Sequence, residues 1–259
     1  MFGTFSRAIL KTPGTNFADG ITESADGTPD LPMTLVQHAA YASALQQLGL
    51  MIEVLDADER FPDGTFVEDA AIVTPRGAII TRPGASSRMG ETAAIERALA
   101  KHYPTLGHIE APGTVDGGDI CETDSAVLIG ISARTNPEGA RQLAGLLGDL
   151  GFPSIILDVR GCPGLLHFKT GVSALGDGRL VMAAGLPTFP ELAAFESVIL
   201  EPEDSYAANC IRVNDRILVP AGYPRFEDRL AKLGYAPLPL AMSEFKKMDG
   251  GLSCLSLRF

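Results

Sequence analysis

Apolar and polar positions along this chain fall into a recurring pattern. Four segments read as an apolar strand, a short polar turn and a second apolar strand ending in small residues. They are AAIVTPRGAIITRPG around Gly77, ICETDSAVLIGIS around Ser125, GVSALGDGRLVMAAG around Gly178 and CIRVNDRILVPAG around Asp215. Between them, helical spacing covers Glu91–His102, Pro137–Leu150, Phe189–Val198 and Arg225–Leu233. In the second of these, Ala140, Leu143, Ala144, Leu146 and Leu147 form an apolar stripe. Pro137 just inside its start and Gly151 just past its end mark its limits. A strand at Phe5–Leu10 precedes a helix at about Leu35–Leu50, and the last strand, Ser253–Phe259, has no hairpin partner of its own. Pairing the first and last strands completes a fifth unit and removes an exposed edge. The expected fold is therefore an α/β ring of five strand–strand–helix modules, with residues 1–259 in a single domain. An open nucleotide-binding sheet would need a glycine fingerprint after its first strand, and neither GxGxxG nor GxxxxGK[ST] occurs.

Composition narrows the partners. The 259 residues are 46% hydrophobic, with 21 basic and 32 acidic side chains and a formal net charge of −11. Mean hydropathy is +0.15 and the pI about 4.8. Such a chain can bury a full core, and its field repels nucleic acid and anionic membrane. Cys121, Cys162, Cys210 and Cys254 are widely spaced, with no CxxC pair and no zinc-site spacing, so a reducing compartment is expected. No secretory signal pattern opens the chain and no apolar run is long enough to span a bilayer. The expectation is a cytoplasmic protein.

Candidate chemistry lies where polar residues interrupt the core pattern. PDGTFVED places Asp63, Glu68 and Asp69 beside an apolar strand, where three converging carboxylates need a cation or hydrogen-bond donors among them. GTVDGGDI places Asp116 and Asp119 around Gly117 and Gly118, read as glycines that open backbone conformations closed to other residues. Alone, each segment is equally an ordinary solvated turn. His167, between Leu166 and Phe168, is the histidine best placed to face a cleft, although a structural imidazole is the commoner use of such a site. Cys254 follows Gly250 and Gly251 on the closing strand; it reads as a nucleophile or as a buried structural thiol. Arg88 and Arg134 follow the second strands of successive hairpins and as a pair suit a carboxylate. Cysteine, histidine and carboxylate suit attack on a planar electrophilic carbon. Carboxylates for a cation and arginines for an anion together describe an amino acid such as arginine.

Those residues sit in DERFPDGTFVEDAAIVTPRGAIITRPGASSR, IEAPGTVDGGDI, SARTNPEGARQ, LLHFKTGV, SYAANCIRVNDRILVPAGYPR and MDGGLSCLSLRF. In these segments, and essentially end to end, the chain resembles the dimethylarginine dimethylaminohydrolases of the guanidine-modifying pentein superfamily. The resemblance implies a five-bladed α/β propeller that hydrolyses methylated arginines to citrulline through a covalent S-alkylthiouronium intermediate. It implies Cys254 as nucleophile, His167 as general acid and base, and Asp116 as its orienting carboxylate. Asp63 and Asp69, with Glu68 beside them, would hold the guanidinium, and Arg88 and Arg134 the substrate carboxylate. Main-chain groups near Ile21 and Met248 would meet the α-amino end, and Asp249 would sit beside the nucleophile loop. NFADGITESADG resembles the family's mobile lid. No metal or organic cofactor is implied; the partner is a small-molecule substrate, and a homodimer is compatible with the resemblance. Related pentein hydrolases of arginine or N-hydroxyarginine, and a non-catalytic arginine- or citrulline-binding protein on the same scaffold, are the alternatives.

Overall fold

The computed structural model describes residues 4–162 and 164–259. The expected hairpins are present, but each gains a third strand, giving five three-stranded sheets. In the first, β1 (Arg7–Lys11) runs parallel to β2 (Met51–Leu55), with helix α1 (Leu31–Gln47) between them in the chain. The second pairs β3 (Ala71–Thr74) with β4 (Gly77–Ile80) as a hairpin, then crosses through α2 (Thr92–Leu99) to a parallel β5 (Leu106–His108). The third repeats this with β6 (Ile120–Glu122), β7 (Val127–Ile131), α3 (Pro137–Asp149) and β8 (Ser154–Asp158). The fourth follows the one-turn helix α4 (Phe168–Gly171) with β9 (Val172–Gly176), β10 (Arg179–Met182) and β11 (Glu196–Ile199). The fifth contains β12 (Ile211–Val213), β13 (Arg216–Pro220), α5 (Pro224–Lys232) and β14 (Pro237–Leu240). After α6 (Ser243–Lys246), β15 (Leu257–Arg258) returns to β1, pairing Ala8 with Arg258 and Ile9 with Leu257. The ring is closed as expected, by a shorter strand than expected.

Local chemistry explains most boundaries. Asp30 caps α1 by accepting from the Met33 N–H, so the helix starts at Leu31 and not at Leu35. Asn136 caps α3 in the same way through Gly139 N–H, with Pro137 next to it. In the β9–β10 turn, Asp177 and Gly178 both take positive φ, the conformation that matches the twist of a two-residue hairpin.

Two departures from the sequence reading share a cause. Phe189–Val198 is not a helix: a single tight turn at Pro190–Leu192 leads into β11, whose Glu196 pairs with Arg179. The third strand of every blade likewise lies outside the sequence reading, because most positions of these short outer strands are exposed or half-buried. Pairing to a neighbour, a tertiary effect, decides them.

Hydrophobic clusters lie between blades. Ala8 and Leu10 of β1 meet Val213 and Leu218 of the fifth blade, while Ile9 meets Ala71 and Val73 of the second. Cys121 and Leu128 likewise meet Val172 and Leu180 across the third and fourth blades. Both faces of each hairpin are thereby buried, which accounts for its nearly continuous apolar run. Polar side chains are left to gather near the centre of the ring.

Candidate active site

A short helical turn stands just before the first hairpin strand of each blade: Val67–Ala70, Gly117–Asp119, Phe168–Gly171 and Pro202–Ala208, with Ser253–Leu255 before β15. The residues on or beside these turns converge. Glu68 and Asp69 come from the first turn, Asp116 and Asp119 from the second, and His167 and Lys169 from the third. Asn209 follows the fourth, and Ser253 and Cys254 belong to the last.

His167 precedes α4, where Phe168 N–H donates to Asp119 Oδ1 at 2.9 Å and fixes the turn. Its Nε2 lies 3.0 Å from Asp116 Oδ2. Asp116 is wholly buried, and its other oxygen accepts from the Gly84 N–H at 2.7 Å. The close fit explains the two glycines differently from the sequence reading. Neither Gly117 nor Gly118 is among the positive-φ residues. Instead a Cβ on Gly117 would lie 2.0 Å from the Glu68 carbonyl, and one on Gly118 would lie 2.9 Å from the His167 ring. They are needed for space, not for backbone freedom.

Burial works against a charged His167, but Asp69, the Asp116 hydrogen bond and Asp119 outweigh it and raise its pKa to about 9. The imidazolium is the resting form at neutral pH. Burial also pushes Asp69 upward, yet His167 and Arg88 prevail and bring it down to about 2. Cys254 goes the other way: burial, then Glu68 and Asp69, raise its thiol to about 12, opposed by the Gly251 N–H. Cys254 nevertheless remains only half-buried. The resting pair is thus a neutral thiol beside an imidazolium.

A small pocket gathers Ile21, Asp63, Asp69, Arg88, Arg134, Met248, Asp249, His167 and Cys254. Nine of the twelve residues singled out in the sequence share this pocket; Glu68, Asp116 and Asp119 stand outside its wall. Arg88 is buried, donating to Asp69 Oδ2 at 2.6 Å, to Glu91 at 2.8 Å and to the Phe66 carbonyl at 3.1 Å. Most of its donors are engaged within the protein. Arg134 lines the pocket with a guanidinium that no side chain pairs among the described residues. Asp63 accepts from the Ile21 N–H at 3.0 Å, and burial raises its pKa against the opposing pull of Arg88. Asp249, at φ 56°, accepts from Thr22 Oγ1 at 2.9 Å and Glu23 N–H at 2.7 Å. Two carboxylates therefore fasten the segment Ile21–Glu23 over the pocket.

Glu68 serves a second network. Its carboxylate accepts from Lys169 Nζ at 2.6 Å and from Ser253 Oγ at 2.7 Å. Asn209 joins the same group, donating to the Lys169 carbonyl and to Ser253 Oγ while accepting the Ser253 N–H. The sequence pattern does not single out Lys169, Ser253, Glu91 or Asn209. The partners of Lys169, Ser253 and Asn209 are remote in the chain, and the equivalent positions before each hairpin are the one available signal; Glu91 lies three residues from its partner Arg88. Asp69, Asp116 and His167 bring three ligand-type atoms within 4.8 Å. Arg88 and the His167–Asp116 hydrogen bond already occupy these groups, so a metal ion would have to displace both.

A cysteine, a histidine and a buried carboxylate meeting inside a five-bladed α/β ring are the arrangement of the guanidine-modifying pentein hydrolases, and the chain is an enzyme of that class. No family model matches it. It is 46% identical over 256 residues to the N(G),N(G)-dimethylarginine dimethylaminohydrolase of Pseudomonas aeruginosa, covering 98% of this chain and 100% of that one. The chain belongs to the dimethylarginine dimethylaminohydrolase family. A solved structure of the Pseudomonas aeruginosa protein, a cysteine-to-serine mutant complexed with citrulline, superposes with a TM-score of 0.95 at 46% identity, covering 99% of this chain and 100% of that one. A second, a dimethylarginine dimethylaminohydrolase adduct with S-methyl-L-thiocitrulline, gives 0.94 at 46% identity and the same coverage.

Proposed function

We propose that the protein hydrolyses Nω-methylated arginines to citrulline and dimethylamine or methylamine, with Cys254 as nucleophile. The observation that carries the reading is the half-buried Cys254 sharing one pocket with the charged His167–Asp116 pair and with the acidic and basic groups an arginine would meet. The citrulline complex and thiocitrulline adduct of the relatives support the product and the covalent route.

Cys254 gives up its proton to solvent water as the guanidinium arrives, since a bound cation beside the sulfur favours the thiolate. A Sγ–C bond forms to the guanidinium carbon. The C–N bond to the methylated nitrogen then breaks as His167 donates its proton to that nitrogen. The neutral imidazole next takes a proton from water, whose oxygen bonds to the thiouronium carbon. The S–C bond breaks, citrulline leaves and Cys254 is restored. Asp116 keeps Nε2 aimed and the imidazolium stable. Asp63 and Asp69 supply negative charge to the substrate cation, and Glu68 stands beside them, paired with Lys169. Arg134 takes the carboxylate, with Arg88 contributing its one unengaged direction and holding Asp69. The backbone at Ile21 and Met248 meets the α-amino group. Asp249 serves the covering segment. No cofactor enters these steps.

Within the same reading the chain acts as one domain in the cytoplasm, supported by four free cysteines among the described residues. Among those residues no helix is long and apolar enough to cross a membrane. A homodimer is part of the proposal, tested by sedimentation. The deciding experiment compares citrulline formation from asymmetric dimethylarginine, monomethylarginine, arginine and N-hydroxyarginine. Methylated substrates should lead; a lead for arginine would reassign the substrate, and no citrulline from any of them would sink the reading.

A further inference from the structure

The proposed reaction imposes an exchange in mid-course. After the first half, the amine must leave and water must arrive while the amino-acid half stays bonded to Cys254. The pocket filled by that half cannot serve both movements.

Cys254 and His167 line two cavities. The first is the small pocket above, about 30 Å³, with Ile21 of the fastened segment Ile21–Glu23 in its wall. The second, of about 470 Å³, shares only Leu166, His167, Asp249, Gly250 and Cys254 with it. Asp63, Arg88 and Arg134, the groups suited to an amino-acid head, are absent from the second cavity. Once the amino-acid half occupies the small pocket, the larger one still leaves free space beside Cys254 and His167.

The geometry points to the larger cavity as the route by which the departing amine leaves and hydrolytic water reaches the intermediate, separate from the pocket that holds the amino-acid half. Its charge suits a small cation. Glu23 and Asp26 stand on its wall with Asp249, and only part of that charge is balanced, by Lys246 at 3.3 Å from Asp26. Glu68, deeper in the same cavity, is neutralised by Lys169. The amine leaves His167 neutral; on taking a proton from the water of this cavity it becomes an ammonium, which moves toward less compensated negative charge.

The inference rests on the hydrolase reading, and obstruction tests it. Ala133 and Ser24 line the larger cavity from different segments, and neither lines the smaller one. Ala133→Trp and Ser24→Trp should each narrow the route without touching the reacting groups. Turnover of asymmetric dimethylarginine should fall about tenfold, KM should fall with it, and intact-protein mass spectra should show the thiouronium adduct on Cys254. Citrulline binding, followed by calorimetry, should survive as a check on folding. Native turnover in both variants overturns the inference. So does lost turnover with Cys254 unmodified, because the block would then precede attack and the cavity would be the substrate's way in. Failure of the native protein to form any citrulline is a distinguishable result that removes the hydrolase reading itself.

Discussion

His167 Nε2 lies 3.0 Å from Oδ2 of the wholly buried Asp116, and this contact helps keep the imidazole protonated. Asp116→Asn keeps the size of the partner and deletes its charge. The His167 pKa should fall below about 9, and turnover at neutral pH should drop roughly 10²–10⁴-fold, the range of general acid–base contributions. NMR titration of the imidazole reads the first effect and citrulline formation the second. An unmoved pKa would assign the elevation to Asp69 and Asp119.

The same raised pKa has a consequence for stability. A histidine raised from its ordinary value of 6.5 to about 9 adds stability that is complete below pH 6.5 and is lost as pH climbs through about 9. Thermal melting of the native protein should therefore decline between about pH 7 and 10 more steeply than that of His167→Gln. Parallel curves would show that His167 is not the group responsible.

With its thiol raised to about 12, Cys254 should carry almost no thiolate at neutral pH without ligand. The thiolate absorbance of the native protein minus that of Cys254→Ser should stay flat from pH 6 to 9 and appear near neutrality when an arginine-like guanidinium is bound. Identical difference spectra with and without ligand would rule out activation by the bound cation.

Glu68 and Lys169 form a buried pair at 2.6 Å, with both side chains almost excluded from solvent. Removing one partner strands the other, so Lys169→Met should destabilise the protein by about 3–5 kcal/mol in urea unfolding. The double change with Glu68→Gln should recover much of that loss. Activity should not recover with it, because Glu68 also accepts from Ser253, next to the nucleophile.

Asp249 holds the segment over the pocket from a left-handed backbone conformation. Asp249→Gly tolerates that φ but loses both hydrogen bonds, so protease cleavage within 20–26 should quicken and KM should rise about tenfold. Asp249→Asn, which keeps an acceptor oxygen, should restore most of the native behaviour. Equal KM values in all three proteins would remove the fastening role.

The sequence by itself determined the hairpins, most of the helices and the closure of the ring. Alternating apolar runs, Asp and Asn caps, Pro137 and the Asp177–Gly178 turn all act within a few residues of one another. It also displayed the charged segments from which nine of the singled-out residues reach one pocket. Only the tertiary structure decided the third strand of each blade, since Glu196–Ile199 is held by β10 and not by its own periodicity. It also decided what each charge is used for. Arg88 turns to Asp69 and Glu91, Glu68 to Lys169, and Gly118 yields space to His167. The reason is one of range: hydrogen-bonded turns and caps are local, whereas Glu68 with Lys169 and Asp116 with His167 pair across blades that meet only when the ring closes.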